Sequence, residues 1–159
     1  MQKRQKFLEK QKEEFEVKVL DLKRVARMTA GGRRFRFRAV VVVGDKKGRV
    51  GVAIGKGQDT VEAVEQATRL AKKNLISVNL SPTGTIWHET EAKFGAAKVL
   101  LKPQIKGMGL VAGGVVRTIC QMAGIQDISA KVLGATRNKL NNALAVIKAL
   151  KKIKPKKES

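Results

Sequence analysis

The sequence predicts an α+β fold: a β-β-β-α unit followed by a β-β-α-β-α unit. Three observations carry this. Arg34 to Val43 alternates arginine with phenylalanine and then turns fully apolar, AVVVV, as a strand does when it enters a layer covered on both faces. GDKKG, Gly44 to Gly48, is a turn signal leading directly into a further β-rich run, RVGVAIG. Two later stretches space their apolar residues as helices do. One carries Ala63, Val64, Ala67, Leu70, Ala71 and Leu75; the other carries Leu140, Ala143, Leu144, Ile147 and Leu150.

Taken in order, residues 1–14 are polar and charged, and read as a frayed helix or disordered arm. Phe15 to Leu22 alternates in part, which predicts a strand with a phase slip near its end. Gly31-Gly32 signals a turn within the basic run Lys23 to Arg34. The three strands are expected to be antiparallel. Asp59 with Glu62 is a capping-box-like helix start, and Arg69, Lys72 and Lys73 place positive charge at the helix C-terminus. NLSPTG, Asn79 to Gly84, is the expected boundary between units, at 15–78 and 85–153. Beyond it, Thr85 to Glu91 and Lys98 to Lys102 read as strands. Pro103 to Gly114 is a glycine-rich connection. Val115 to Ala123 is a helix stopped by Gly124. Asp127 to Leu133 is a strand, and Asn138 to Ile153 a helix. A lysine-rich tail closes the chain at 154–159.

Charge narrows the function. The 159 residues carry 34 Lys+Arg against 13 Asp+Glu, a net charge of +21. A folded protein this basic repels itself unless an anion neutralises it. Nucleic acid is the expected partner, because neutralising phosphates releases counterions. No helix combines a basic face with aromatic anchors, which argues against a membrane surface. No apolar run approaches the ~18 residues of a membrane span. The start, MQKRQKFLEKQKEEFE, has neither an apolar h-region nor transit-peptide composition, so a cytoplasmic protein is expected. Cys120 is the only cysteine, which excludes an internal disulfide and a cysteine-cluster metal site.

The basic residues cluster. Lys23, Arg24, Arg27, Arg33, Arg34, Arg36 and Arg38 fall in one stretch without an acidic residue. A solvated face mixes signs; arginine without a partner fits phosphate and stacks on bases. In a strand, Arg34, Arg36 and Arg38 share one face and Phe35 and Phe37 the other. The phenylalanine face leads into Ala39, Val41 and Val43, expected against the helix. The arginine face leads into Val40 and Val42.

Other chemistries fit the pattern poorly. Gly55-Lys56-Gly57 lies where a strand meets a helix, yet a phosphate loop fails at Val50 and Gly57, and a dinucleotide fingerprint fails at Thr60. Close backbone approach to RNA phosphate remains compatible with these glycines, as does a tight turn. KGMGLVAGG, Lys106 to Gly114, feeds a helix N-terminus and could hold a nucleotide phosphate or a neighbouring macromolecule, or be a flexible connection whose glycines take positive φ. No acidic residue nearby offers a metal ligand for phosphoryl transfer. His88 reads as a lone surface residue, Cys120 as a core thiol and Trp87 as packing. No catalytic residue, metal site or cofactor is expected.

RVARMTAGGRRFRFRAVVVVGDKKGRVGVAIGKG with EAVEQATRLAKKNLI, and then LKPQIKGMGLVAGGVVRTICQMAGIQDISAKVLGATRN, resemble the bacterial ribosomal protein S-five family of the small subunit. The resemblance implies a double-stranded-RNA-binding-like first unit, and a second α/β unit with a left-handed crossover. It implies a structural, non-enzymatic role in binding small-subunit (16S-type) rRNA, bracing head against body and supporting translational accuracy near the mRNA entry region. The partners it implies are proteins S-four and S-eight. Carried over, the rRNA-binding residues are Lys23, Arg24, Arg27, Gly31, Gly32, Arg33, Arg34, Arg36, Arg38, Lys56, Arg69, Lys72 and Lys73. The hairpin loop would be Val25 to Arg33, with Val25, Ala26, Arg27 and Met28 near the spectinomycin site. Lys106, Gly107, Gly109, Gly113, Gly114 and Arg117 would face S-four. The sequence departs from the family's pattern at GQDTVEA, RNKLNNA and KPQIKGMG. A free duplex-RNA regulator and a nucleotide-dependent enzyme using the 106–114 loop are the competing functions.

Overall fold

A computed structural model describes residues 15–154. The arm at 1–14 and the tail beyond Lys154 lie outside the described residues. The first sheet contains β1 (Glu16–Thr29), β2 (Gly32–Gly44), β3 (Arg49–Gly57) and the two-residue β4 (Ile76–Ser77), in the order β1-β2-β3-β4 and antiparallel throughout. Helix α1 (Thr60–Lys73) joins β3 to β4. The second sheet contains β5 (Thr90–Phe94), β6 (Ala97–Pro103), β7 (Leu110–Val111) and β8 (Ile128–Val132), in the order β5-β6-β8-β7. Helix α2 (Gly114–Ala123) carries the chain from β7 to its parallel neighbour β8, and α3 (Lys139–Lys151) follows.

β1 and β2 form a long hairpin. Their register shifts between Val19 and Asp21, where the alternation slips, and Leu20 packs against the core. Pairing then continues to Thr29 opposite Gly32, so the expected loop at Val25 to Arg33 is mostly strand. Only a tight turn at Ala30 and Gly31 is left, closed by the Thr29 hydroxyl donating to the Gly32 carbonyl at 2.9 Å. Gly32 sits at φ 129°, where a side chain would be strained. Charge hid this strand: Val25, Arg27 and Thr29 keep the period of two, but without a second apolar face.

The central strand is covered twice. Ala39, Val41 and Val43 pack with Ala53 against Ala63, Ala67 and Ala71 of α1. Val40 and Val42 face the other way and join Val50, Val52, Val99, Leu101, Ile119 and Leu150 in a core shared by both sheets. The phenylalanine-side expectation therefore holds, and the valines of the arginine side are buried by the second unit.

Helix α1 approaches β3 at backbone distance. The strand presents only small residues to it: Gly51, Ala53, Gly55 and Gly57. A Cβ on Gly55 would run into the Ala63 carbonyl and the Ala67 amide, and one on Gly51 into the Ala71 carbonyl. Gly55 and Gly57 thus serve helix packing. Asp59 caps α1 by accepting from the Thr60 amide at 2.6 Å, and Glu62 reaches back to the Gln58 amide at 2.8 Å.

The β2–β3 turn locks onto the end of α2. The Lys46 amide donates to the Met122 carbonyl at 3.0 Å and the Gly48 amide to the Ala123 carbonyl at 2.9 Å, satisfying groups a helix C-terminus leaves open. Lys46 is held at φ 57°. Asp45 shapes the turn: its carboxylate accepts from the Lys47 amide at 2.8 Å, the Arg49 amide at 3.0 Å and Arg49 Nε at 2.6 Å. Burial alone would raise the Asp45 pKa; the hydrogen bonds and the guanidinium outweigh it and hold the carboxyl below 3.8.

Two further expectations change. The strand at Thr85 to Glu91 begins only at Thr90; before it, Ile86 makes one isolated bridge with Leu80. The backbone there is already committed, with the Thr85 carbonyl accepting from Ser81 and the Gly84 carbonyl from Gln126, both at 2.9 Å. In α3 the buried residues are Ala143, Ala145, Val146, Ala149 and Leu150, while Leu144 and Ile147 are half-buried. That helix touches β5, β6 and α2 together, so the inward surface is broader than one stripe and rotated from the expected one.

Two outcomes follow from this packing. Gly55→Ala should cost roughly 1–3 kcal/mol by overpacking α1 against β3, whereas Gly114→Ala, in open space inside the first helical turn, should stabilise by roughly 0.4–1 kcal/mol; urea denaturation of both variants checks this. A depressed carboxyl stabilises the fold above its unfolded pKa and stops doing so as pH falls through its folded one. Asp45→Asn should therefore destabilise at pH 7 by about 1–3 kcal/mol, with the gap to wild type closing below pH 3.8. A gap independent of pH would refute that role for the carboxylate.

Candidate nucleic-acid interface

Residues directly opposite in an antiparallel pair share a face. The register sets Arg27 against Arg34, Val25 against Arg36, Lys23 against Arg38 and Arg38 against Lys56. One face of the hairpin therefore gathers Lys23, Arg27, Arg34, Arg36, Arg38 and Lys56. Arg27, Arg34, Arg36 and Lys56 line a groove of ≈ 460 Å³ with Val25, Ala26 and Thr29. The opposite face carries Arg24, Ala26, Met28, Arg33, Phe35 and Phe37. Of the expected spectinomycin-adjacent residues, Val25 and Arg27 belong to the groove face; Ala26 borders the groove although it alternates with Met28 to the other face.

The groove is electrostatically unsatisfied. Among the described residues no carboxylate pairs with Arg24, Arg27, Arg33, Arg34 or Arg36. Asp21 lies at the hairpin's root and is held by Lys23 at 3.8 Å and Lys139 at 3.3 Å. Arg27 facing Arg34 is a like-charge pair, unfavourable unless an anion lies between. Arg38 is half-buried where the strand enters the core, and its buried Nε has no hydrogen-bond partner among the described residues. Lys56 contributes its side chain only; its amide already donates to Gln66 Oε1 at 2.6 Å.

The α1 cations lie away from the hairpin tip. Ala71, in the last turn of α1, packs beside Gly51, which pairs with Val43. The hairpin tip lies roughly 35 Å further along β2 at ~3.3 Å per residue. Arg69 lies beside Glu62, Glu65 and Gln66, and Lys72 Nζ sits 5.8 Å from the Phe15 ring. Lys73 is exposed on the same helix.

The glycine-rich loop forms a second surface. Its organiser is Asp127, a buried side chain that accepts from the Gly107 amide at 3.1 Å and the Gly109 amide at 2.7 Å. No local sequence pattern marks Asp127 for this. The carboxylate occupies amides that a nucleotide phosphate would need. Gly107 and Gly109 take φ 92° and 74°. Gly113 and Gly114 lie in open space at the start of α2, and Arg117 donates to the Leu110 carbonyl at 3.5 Å. Ile105, Met108 and Val111 stand 79%, 64% and 59% exposed around them, an apolar character the sequence pattern did not single out. Lys106 is exposed beside them.

Among the described residues nothing catalytic gathers elsewhere. His88 is exposed. Cys120 is fully buried, and burial pushes its thiol up to about 12, the reverse of an activated nucleophile. Trp87 is half-buried against the core. Among the described residues no group of three or more His, Cys, Asp or Glu could hold a metal ion, and no helix is long and apolar enough to cross a membrane.

Comparison with known proteins accounts for both halves of the chain. Residues 15–79 match the family model for ribosomal protein S5, N-terminal domain, and residues 92–159 that for ribosomal protein S5, C-terminal domain. Small ribosomal subunit protein uS5 of Thermus thermophilus is 48% identical over 143 residues, covering 90% of this chain and 87% of the relative. Small ribosomal subunit protein uS5c of Cyanidium caldarium is 44% identical, covering 87% of this chain and 82% of the relative. The uS5c of Spinacia oleracea is 46% identical over 89% of this chain but only 46% of its own length. With both family models matched in order and the hairpin, helix and glycine loop in place, the chain belongs to the ribosomal protein uS5 family.

Proposed function

We propose that the protein is a structural, non-enzymatic component of the small ribosomal subunit that binds its rRNA through the β1–β2 hairpin. The observation that carries this is the groove face, where Arg27, Arg34, Arg36 and Lys56 converge without a carboxylate partner among the described residues. Their net repulsion is relieved by phosphates, and arginine's fork suits the closely spaced oxygens of packed RNA. The role of Gly31-Gly32 is steric: it keeps the tip thin enough to enter between RNA strands.

The second surface takes a neighbouring ribosomal protein, S-four by family resemblance, with S-eight the other protein neighbour. Exposed Ile105, Met108 and Val111 around glycines without side chains suit an apolar contact at close backbone approach. Phosphate grip at one end and protein contact at the other brace subunit head against body beside the mRNA entry region. Rigidity of that brace is how the protein supports translational accuracy. Arg69, Lys72 and Lys73 belong to a separate rRNA contact, since the helix carries them away from the hairpin. A nucleotide-dependent enzyme is disfavoured by Asp127, which already fills the loop amides.

The chain should co-sediment with small subunits and leave them only at high salt; a free pool with duplex-RNA affinity would instead identify a regulator. For Arg34→Ala with Arg36→Ala, the slope of log affinity for rRNA against log salt should fall by roughly 0.7–0.9 per lost phosphate contact. An unchanged slope would remove these residues from the phosphate-binding set.

A further inference from the structure

The two faces of the hairpin differ in kind. The groove face gathers arginine and lysine with no aromatic residue. On the opposite face the Arg24 guanidinium lies over the Phe35 ring, 3.7 Å from its centroid. That is a stacking distance, with the cation on the negative face of the ring. Phe35 is still 45% exposed and its neighbour Met28 70% exposed. Phe37, two positions on, is half-buried against the helix-side core. Phe35 therefore stands just beyond the cover of α1, where an aromatic ring gains little from the fold. Arg24 and Arg33 flank it, and neither has a carboxylate partner among the described residues.

We propose that this face binds an unpaired nucleobase of RNA, stacked on the Arg24–Phe35 pair, while the groove face holds backbone phosphates. An aromatic ring and a guanidinium plane are the two side-chain surfaces on which splayed bases stack. A paired duplex offers no such base, so the occupant is a bulged or looped nucleotide. Arg33 sits beside the platform to meet that nucleotide's phosphate. The hairpin then reads RNA on both sides at once: helical backbone on one, an extruded base on the other. This inference rests on the rRNA-binding reading of the hairpin.

The test uses the full chain and two RNA probes of equal length, one fully paired and one with a single bulged 2-aminopurine. Wild type should bind the bulged probe more tightly and quench its fluorescence. Phe35→Leu should weaken binding to the bulged probe by roughly tenfold, abolish the quenching, and leave duplex affinity and salt slope unchanged. Phe35→Trp should restore both tighter binding and quenching, which a folding defect in the leucine variant would not explain. Equal weakening on both probes, or quenching that survives Phe35→Leu, would overturn the base-stacking assignment while leaving the phosphate reading intact. Wild type binding neither probe with a salt-dependent affinity would remove the rRNA reading itself, and this inference with it.

Discussion

Everything in the molecule depends on one strand being covered on both faces. Ala39 to Val43 have between 0% and 1% exposure, which no single helix or sheet could give them. One face is sealed by α1 through a glycine and alanine contact; the other is sealed by the second sheet with α2 and α3. Neither cover is dispensable, because an apolar strand face left to water loses roughly 1.5–3 kcal/mol per valine. The strand thus ties the two units to a common core. The β2–β3 turn adds a polar lock, in which the Lys46 and Gly48 amides cap the C-terminal carbonyls of α2.

That double cover also explains the hairpin. On the tip side of Phe37, β2 lies beyond both α1 and the second unit, and the pair β1–β2 continues without any core beneath it. A two-stranded ribbon in water is marginal by itself, so its stability comes from its root. Asp21, bridging Lys23 and Lys139, fixes β1 to the start of α3 at that root. What projects is a thin, twisted ribbon with a basic groove on one side and a cation–aromatic stack on the other. The proposed insertion into RNA would neutralise the charge that this ribbon carries without core contacts.

Legibility in the sequence followed burial. The transition from RRFRFR to AVVVV marks where the strand enters the core, because alternation and its loss are local properties of a pleated chain. The Asp59 cap and the Gly124 stop could be read for the same reason: caps use neighbouring residues. The length of β1 could not be read, since Lys23 to Thr29 has no apolar face to report its period. The two-residue strands β4 and β7 exist only through distant partners and leave no periodic trace. The division of the basic residues was half legible. Alternation separates Arg34, Arg36 and Arg38 from Arg33, Phe35 and Phe37, but placing Arg24 with the phenylalanines requires the cross-strand register, which shifts between Val19 and Asp21. Asp127 was invisible, because its two amide donors lie some twenty residues earlier in the chain.

The glycines separate internal from external constraint. Gly51, Gly55, Gly44 and Gly124 are each required by an atom of this chain that a Cβ would strike. Gly32, Gly107 and Gly109 are required by positive φ. Gly113 and Gly114 answer to neither condition: their dihedrals leave alanine free to enter and no atom lies within 4 Å of the added Cβ. Gly114, inside the first helical turn, gives up roughly 0.4–1 kcal/mol relative to alanine through the larger entropy of its unfolded chain, whereas at the N-cap, Gly113, glycine is preferred over alanine. Within the free protein nothing offsets that loss. In the reading proposed above, a neighbouring surface that approaches the helix start closer than a methyl group permits would supply the compensation, and the exposed Met108 and Val111 beside it would give that contact an apolar character. The same reasoning distinguishes this end of the molecule from the hairpin. There the unmet requirement is charge, here it is space, and that difference is what the two proposed partners of different chemistry would answer.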